Sequence, residues 1–233
     1  MMDLSLPAFY GYLGQLAEGA VITMELFLTS FALALLFGIL IAMATSTKSR
    51  IVAAIWNVYA SIFMGVPSLL VIFLIFYGGS AMLTGVFGDS LSIDITPFSA
   101  GVAALSIVYA AYIAELLRGA IANLPHGQFE GARALAIPPL IMWLRVILPQ
   151  VARLALPGLV NVWSFMIKET PLVSLAGLND LVATAKIAAG ATKEPFIFFI
   201  ATALFFIVFS AATLWLATRL EIRLDRGLTR SKA

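Results

Sequence analysis

Lys168, Glu169 and Thr170 form a polar triplet in an otherwise apolar stretch, and Pro171 follows them directly. Ionisable side chains at membrane depth are costly, so they indicate a functional site by default. Pro171 cannot continue a regular helix, and the backbone groups that it frees could hold a solute. An amino acid carries an ammonium and a carboxylate group. Glu169 could bind the ammonium group, and Lys168 or free backbone N–H groups could bind the carboxylate.

The same residues also allow a structural interpretation, namely an internal Lys168–Glu169 pair or a Lys168 side chain that extends to the membrane surface. Neighbouring helix residues point about 100° apart, so the two side chains cannot easily face one solute. Asn161 and Ser164 lie in the same apolar run and could face the same cavity, although helix contacts through small residues explain them almost as well.

A second candidate site lies at residues 65–68, where Gly65 and Pro67 interrupt another apolar run. Such a break leaves backbone carbonyls without helical partners, which a membrane tolerates only against protein or a cavity. Ser68 adds a hydroxyl group. The alternative is a packing kink that a neighbouring helix fills.

The composition around these candidates is that of an integral membrane protein. Of the 233 residues, 62% are hydrophobic and 11% are charged, whereas a soluble domain is about half apolar and a quarter charged. The net charge of +2 is too small to indicate a nucleic-acid partner. The chain has no cysteine, and His126 is its one histidine. A disulfide framework and a Cys-based metal site are excluded, and little remains for a His-based site.

Five apolar segments are long enough to cross about 30 Å of hydrocarbon, which takes about 20 helical residues. Their length and continuity predict helices rather than the short alternating strands of a barrel. Basic residues follow the first and third segments and fill the C-terminal tail, which predicts an N-terminus outside and a C-terminus inside. The predicted fold class is an all-α integral membrane protein with five transmembrane helices. They are expected at about 20–44, 52–77, 97–118, 148–170 and 195–218.

Glu115 and Arg118 stand three residues apart near the inner end of the third segment. This spacing favours a local ion pair at the level of the lipid headgroups. A role in an inner gate is the alternative.

The segment from about 119 to 147 interrupts the apolar pattern and lies in the cytosol in this topology. Residues 130–135 favour a short helix, which the Pro138-Pro139 pair is expected to stop. A further helical run, Leu140 to Leu148, is expected to end at Pro149. A helix that docks a cytosolic partner explains the length and the many turn residues, and a loop lying on the headgroups is the alternative.

Residues 130–149 read EGARALAIPPLIMWLRVILP. This segment resembles the EAA loop of ABC importer permeases, in which Glu-Ala-Ala is followed after three residues by Gly and after nine more by Ile-x-Leu-Pro. Ala136 stands where that pattern has Gly. A left-handed turn is less favourable at alanine, so we expect the proline pair to set the bend instead.

Four further segments resemble motifs of polar amino-acid permeases, in the same order and at the same spacing. GVPSLL at 65–70 is similar to GTPLL, and AELLRGA at 114–120 to AEIFRGG. PHGQ at 125–128 is similar to PKGQ, and KETPLVS at 168–174 to KDTSLVS. On these motifs the chain is identified as a member of the histidine/glutamine/arginine-type permeases, with residues 1–233 forming one transmembrane domain.

The resemblance implies a complex in the bacterial cytoplasmic (inner) membrane that works by alternating access. Two permease subunits, identical or homologous, enclose the pathway, and a periplasmic or lipid-anchored solute-binding protein delivers the amino acid. Two cytosolic ATPase subunits bind the coupling loops. The acidic motif position at Glu169 indicates a cationic or opine-like substrate. The residues expected to contact the ATPase are Glu130, Gly131, Ala132, Arg133 and Ala136.

The sequence lacks GxxxxGK[ST], the phosphate-binding loop of many ATPases. We therefore expect ATP and Mg²⁺ in the partner ATPase, and neither a cofactor nor an enzymatic activity in this chain. A stand-alone secondary transporter is the alternative function, but it would usually need two repeated halves, which five spans do not provide. A membrane-bound enzyme is a weaker alternative, because no catalytic constellation can be assembled from these residues.

Overall fold

The computed structural model describes residues 6–47, 49–87 and 95–225. These ranges are almost entirely helical, and none of their residues forms a strand. The expected all-α architecture is confirmed. The last basic residues of the tail, on which the topology prediction relied, lie outside the described residues.

Helix α1, Leu6–Thr45, is much longer than the span expected at 20–44. Its 40 residues extend for about 60 Å, twice the thickness of the hydrocarbon layer. The N-terminal part packs through Leu16 against a later helix, α8 (Leu181–Thr192).

The expected span at 52–77 consists of two helices, α2 (Arg50–Gly65) and α3 (Ser68–Phe87), bent by 101° at the break between them. The interruption predicted at Gly65 and Pro67 is confirmed. Val66, the residue before Pro67, adopts an extended conformation (φ −96°, ψ 133°) as proline requires of its predecessor. The Val66 N–H donates to the Ile62 carbonyl at 2.9 Å and closes α2.

Helix α4, Pro97–Ala122, is the centre of the bundle, and twelve of its residues are buried. It begins where the Thr96 hydroxyl accepts the Ser99 N–H, a favourable N-cap. Its most extensive contact is with α1. Gly38 of α1 allows this close approach, because a Cβ atom there would lie only 2.6 Å from Cγ2 of Ile113. Small residues that let helices approach closely are typical of membrane bundles.

The following segment forms helix α5, His126–Ala134, and then one continuous helix up to Glu169. That helix comprises α6 (Pro139–Ile141), a π-helical segment (Met142–Ile147) and α7 (Leu148–Glu169). The prediction that a helical run ends at Pro149 is therefore wrong. In the π segment the Leu148 N–H bonds to the Trp143 carbonyl, five residues back, and this wider turn accommodates the missing N–H of Pro149.

A 3₁₀ helix at Thr170–Ala176 follows α7, and α8 (Leu181–Thr192) and α9 (Pro195–Asp225) complete the described chain. The sequence interpretation missed α8, which at 12 residues is too short to span a membrane. Among the described residues, four helices are long and apolar enough to cross a membrane, or five if the bent pair is one span.

The largest core cluster joins α1, α3, α4, α7 and α9. The half-buried indole of Trp163 packs against this cluster, with its ring centroid 4.5 Å from that of Phe27 and 4.6 Å from that of Phe31 in edge-on geometry. Such aromatic pairs add to the packing energy beyond the buried area. The cluster fixes α7 against α1 and so holds the C-terminal end of α7, where Glu169 lies.

Candidate solute cavity and coupling helix

A cavity of about 270 Å³ lies between α4 and α7. Tyr109 and Tyr112 line it from α4, and Val162, Phe165 and Glu169 line it from α7. The eight residues from 162 to 169 cover about two turns of α7 with the lining residues on one face, and the tyrosines are one turn apart on α4, so each set points the same way. The cavity thus combines one carboxylate with three aromatic rings.

Glu169 is half-buried, and its Oε2 atom is buried without a hydrogen-bond partner. The Tyr109 side chain faces the carboxylate closely enough to interact with it. A buried carboxylate oxygen without a partner is costly, because it has lost its water and gained nothing in return. The natural complement of this oxygen is a cationic or N–H-bearing group.

The other residues proposed for the pathway around Glu169 do not line this cavity. Lys168 is exposed, with its ammonium nitrogen 5.7 Å from the ring centroid of Phe165. Thr170 is fully buried and donates to the Ile167 carbonyl at 2.8 Å. Ser164 donates within its own helix, to the Val160 carbonyl at 2.9 Å, and Asn161 is exposed.

One hydrogen bond connects the proposed site at the α2–α3 break to the cavity. The Tyr112 hydroxyl donates to the Met64 carbonyl at 3.4 Å, and Met64 directly precedes Gly65. Gly65 and Pro67 are exposed, and Ser68 is buried at the first position of α3. The break therefore positions a backbone acceptor against a tyrosine of the cavity.

The sequence interpretation missed Tyr109, Tyr112, Val162 and Phe165. The three-residue spacing of the two tyrosines was a usable signal, since it places both on one face of an apolar helix. That this face meets Glu169 depends on how α4 packs against α7, which the spacing does not encode.

Helix α5 lies on the bundle with one buried residue, Ala132, and its charged side chains Glu130 and Arg133 are exposed, as are Gly131 and Ala136. Ala132 packs in a second core cluster, which joins the end of α4 to the start of α7. The Gln150 amide donates to the Gln128 side chain at 3.0 Å and to the Val146 carbonyl at 2.8 Å. This pair of bonds ties α5 directly to the π segment and α7.

Ala136 ends α5 in the left-handed conformation, with φ 53°, so the expectation that the proline pair would set the bend is wrong. The Ile137 N–H donates to the Ala132 carbonyl at 3.0 Å, and the Ala136 N–H donates to the Arg133 carbonyl at 2.9 Å. These two bonds define a Schellman motif, which satisfies the last carbonyls of the helix. The motif outweighs the cost of alanine in this conformation, which is about 1 kcal/mol.

The chain matches known transport proteins over nearly its whole length. Residues 34–226 match the family model described as "Binding-protein-dependent transport system inner membrane component". The nopaline transport system permease protein NocQ of Agrobacterium fabrum is 38% identical over 218 residues, which are 91% of this chain and 92% of that protein. The histidine/lysine/arginine/ornithine transport system permease protein HisQ of Salmonella typhimurium is 38% identical over 225 residues, 95% and 98% of the two chains.

The fold agrees with solved structures of the same kind. The crystal structure of an amino acid ABC transporter with histidines superposes with a TM-score of 0.82 at 29% identity, covering 95% of this chain and all of the other. The MetNI methionine ABC transporter in an inward facing conformation has the same fold, with a TM-score of 0.60 at 20% identity. The chain is therefore a membrane permease that belongs to the family of binding-protein-dependent transport system inner membrane components, the permease subunits of ABC importers.

Proposed function

We propose that this permease imports a polar amino acid and that its substrate class is a cationic amino acid or an opine. The names of its relatives support this class, since they transport nopaline, octopine, or histidine, lysine, arginine and ornithine. One observation of the molecule carries the proposal: the buried, unpartnered Oε2 of Glu169 in the cavity between α4 and α7.

Both the carboxylate and the aromatic rings of the cavity suit a cationic solute. Glu169 supplies a charge-assisted hydrogen-bond acceptor for an ammonium or guanidinium group. The rings of Tyr109, Tyr112 and Phe165 offer aromatic faces and edges, and a desolvated cation over an aromatic face gains about 2 kcal/mol. The same groups that bind the solute also oppose its release, so release into water requires that the cavity open.

The α7 helix supports an alternating-access mechanism in which the cytosolic motor acts on this cavity. Gln150, at one end of α7, is bonded to α5, and Glu169 is the last residue at the other end. The 19-residue separation corresponds to about 28 Å of helix. A displacement of α5 by an ATPase would move α7 as a lever and change the cavity at its far end.

The coupling residues of this proposal are those on α5 and its end. Glu130 and Arg133 are exposed and suit charge pairing with an ATPase groove, with Glu130 near the helix start where its charge is also favourable. Gly131, Ala132 and Ala136 are small and shape the helix surface and its turn. The partners are two ATPase subunits that bind ATP and Mg²⁺, a second permease subunit and a solute-binding protein, all at the bacterial inner membrane with the C-terminus of this chain inside.

The stand-alone secondary transporter is not favoured, since the family is one of binding-protein-dependent systems. The test is ATP-driven uptake. The permease is reconstituted in proteoliposomes with its co-purified ATPase, partner permease and binding protein, and uptake of radiolabelled L-arginine, L-histidine and nopaline is compared with that of L-citrulline, a neutral analogue of arginine.

We expect uptake of at least one cationic substrate or opine only when ATP is inside and the binding protein outside. Exclusive uptake of neutral or acidic amino acids would overturn the substrate class. Uptake that an ion gradient drives without ATP would overturn the importer mechanism. A parallel pull-down with Glu130→Arg should lose the ATPase that the wild-type chain retains.

A further inference from the structure

A second cleft, of about 370 Å³, lies between α2 and α4. The residues that line it are Trp56, Asn57, Ala60, Ser61, Met64 and Glu115. Asn57 and Ser61 are one turn apart on α2, and they face a carboxylate from α4. The cleft therefore holds one anionic group, an amide and a hydroxyl, with an aromatic residue at its edge.

This cleft and the Glu169 cavity follow one stripe of α4. Tyr109 and Tyr112 line the cavity, and Glu115 lines the cleft, so the three residues recur at one-turn spacing over about 9 Å of helix. Between the two spaces, the Tyr112 hydroxyl donates to the carbonyl of Met64, itself a lining residue of the cleft. Tyr112 therefore lines the cavity and contacts a residue that lines the cleft.

A cationic side chain of the protein itself, Arg118, already contacts two of the residues that line the cleft. The Arg118 Nε lies 3.4 Å from Oε2 of Glu115, and the Arg118 guanidinium carbon lies 5.1 Å from the ring centroid of Trp56. The ion pair predicted from the spacing of these residues is therefore present. Yet the Arg118 Nε is buried without a hydrogen-bond partner, so the contact is electrostatic and is not a bidentate bond.

The Glu115 side chain is 54% exposed, which keeps it accessible to a solute from the cleft. An exposed ion pair without good hydrogen-bond geometry contributes little and is readily exchanged. A free guanidinium or ammonium group could reach the same carboxylate, with Asn57 and Ser61 as additional polar partners.

From this geometry we infer that the cleft is a second solute site, on the coupling-helix side of the cavity, which binds the cationic end of the transported molecule through Glu115. Arg118 competes with the solute for Glu115 and Trp56, so it keeps the site weak and favours release. Met64 lies at the end of α2, next to the α2–α3 break. Opening at this break separates Met64 from Tyr112 and joins the cavity to the cleft. The inference rests on the proposed cationic substrate.

The test measures equilibrium binding of tritiated L-arginine to the full transport complex in lipid nanodiscs, without nucleotide and without the binding protein. A Glu169→Gln background removes the carboxylate of the first cavity. We expect the remaining weak binding to fall at least tenfold on adding Glu115→Gln, and to fall on adding Asn57→Leu. In the same background Arg118→Met should raise the affinity for arginine about tenfold, because it removes the competing cation.

Arg219 provides a matched control, since its guanidinium carbon lies 4.3 Å from the Trp215 centroid on α9 and it lines neither space. Arg219→Met should leave arginine binding unchanged. Gain of affinity in Arg118→Met cannot come from misfolding, so this variant keeps the test decisive if Glu115→Gln yields little protein.

Two failures are distinguishable. If the wild-type complex takes up arginine but Glu115→Gln and Arg118→Met leave the residual binding unchanged, the inner site is refuted and the proposed function stands. If the wild-type complex takes up no cationic amino acid or opine at all, both are refuted.

Discussion

Two acidic residues, Glu169 and Asp180, each have one carboxylate oxygen that is buried without a hydrogen-bond partner. Glu169 lines a cavity that it shares with aromatic side chains. Asp180 is fully buried and lines neither that cavity nor the cleft between α2 and α4. The same unsatisfied group therefore stands in one case beside room for a solute and in the other against packed protein.

The surroundings of Asp180 explain why it is there. Its Oδ1 accepts the Ala183 N–H at 2.8 Å and caps α8, and the neighbouring Leu181 N–H bonds to the Thr23 hydroxyl of α1. Gly19 lets the helices meet, since a Cβ there would lie 2.9 Å from the Asp180 carbonyl oxygen. Asp180 fixes α8 to α1. An unpartnered buried carboxylate is thus a sign of function only where space for a ligand adjoins it.

Substitution of the two residues should differ most in its effect on transport. Glu169→Gln keeps the size of the side chain but removes the charge that holds a cationic solute. ATP-driven uptake of arginine should fall on the order of a hundred- to a thousandfold, the loss typical of a buried charged partner, while thermal stability stays near that of wild type.

Two variants control this prediction. Glu25→Gln removes an exposed carboxylate from α1 and should transport normally. Asp180→Asn should also retain uptake. Equal loss of uptake in Asp180→Asn and Glu169→Gln would abolish the distinction between the two carboxylates.

The next largest effect is a pH dependence of the stability, which we expect from the carboxyl group of Asp180. Burial raises the pKa of this carboxyl from 3.8 to about 6, although hydrogen bonds from backbone N–H groups oppose the shift. The folded state favours the protonated form, so the stabilisation is complete below about pH 4 and is lost as the pH rises through 6. This rise in pKa corresponds to a difference of about 3 kcal/mol in the free energy of unfolding.

Asp180→Asn retains the cap but cannot ionise. The melting temperature of the variant should match that of wild type near pH 4.5 and exceed it at pH 7.5, measured on the detergent-solubilised complex. A variant that is less stable than wild type at pH 7.5 would show that the charged form is stabilised in place, contrary to this account.

The sequence predicted these two regions unequally, for physical reasons. Glu169 could be singled out because charge inside an apolar run is costly wherever the run packs. Likewise, the break at 65–67 and the Glu115–Arg118 pair follow from local rules. Asp180 was not singled out, because α8 is too short for the length criterion that identifies spans.

Non-local packing accounts for the rest. Tyr109 and Tyr112 join the site because α4 packs on α7, and nothing in either segment specifies the partner face. Ala136 and Pro149 were misread because local preference was outweighed: a Schellman motif holds Ala136 at positive φ, and a π segment carries the helix past Pro149.

A smaller effect tests the capping role of Asp180 directly. Asp180→Ala removes both the charge and the cap, whereas Asp180→Asn removes only the charge. At pH 4.5, where the wild-type carboxyl is mostly protonated, Asp180→Ala should unfold more readily than Asp180→Asn by about 1 kcal/mol, the usual value of an N-cap. Identical stability of the two variants, read from denaturant or thermal unfolding, would mean that the bond to Ala183 contributes nothing.

The smallest effect probes the partner of Glu169 within the cavity. Tyr109→Phe keeps the ring, which is almost fully buried, but deletes the hydroxyl that faces the carboxylate. If this hydroxyl only orients Glu169, the half-saturating arginine concentration should rise about threefold to tenfold, as for one lost hydrogen bond, with the maximal uptake rate unchanged. Tyr77→Phe, at an exposed tyrosine of α3, should change neither quantity. A collapse of the maximal rate in Tyr109→Phe would instead make the hydroxyl part of the conformational step, and Glu169 would no longer act as a simple binding group.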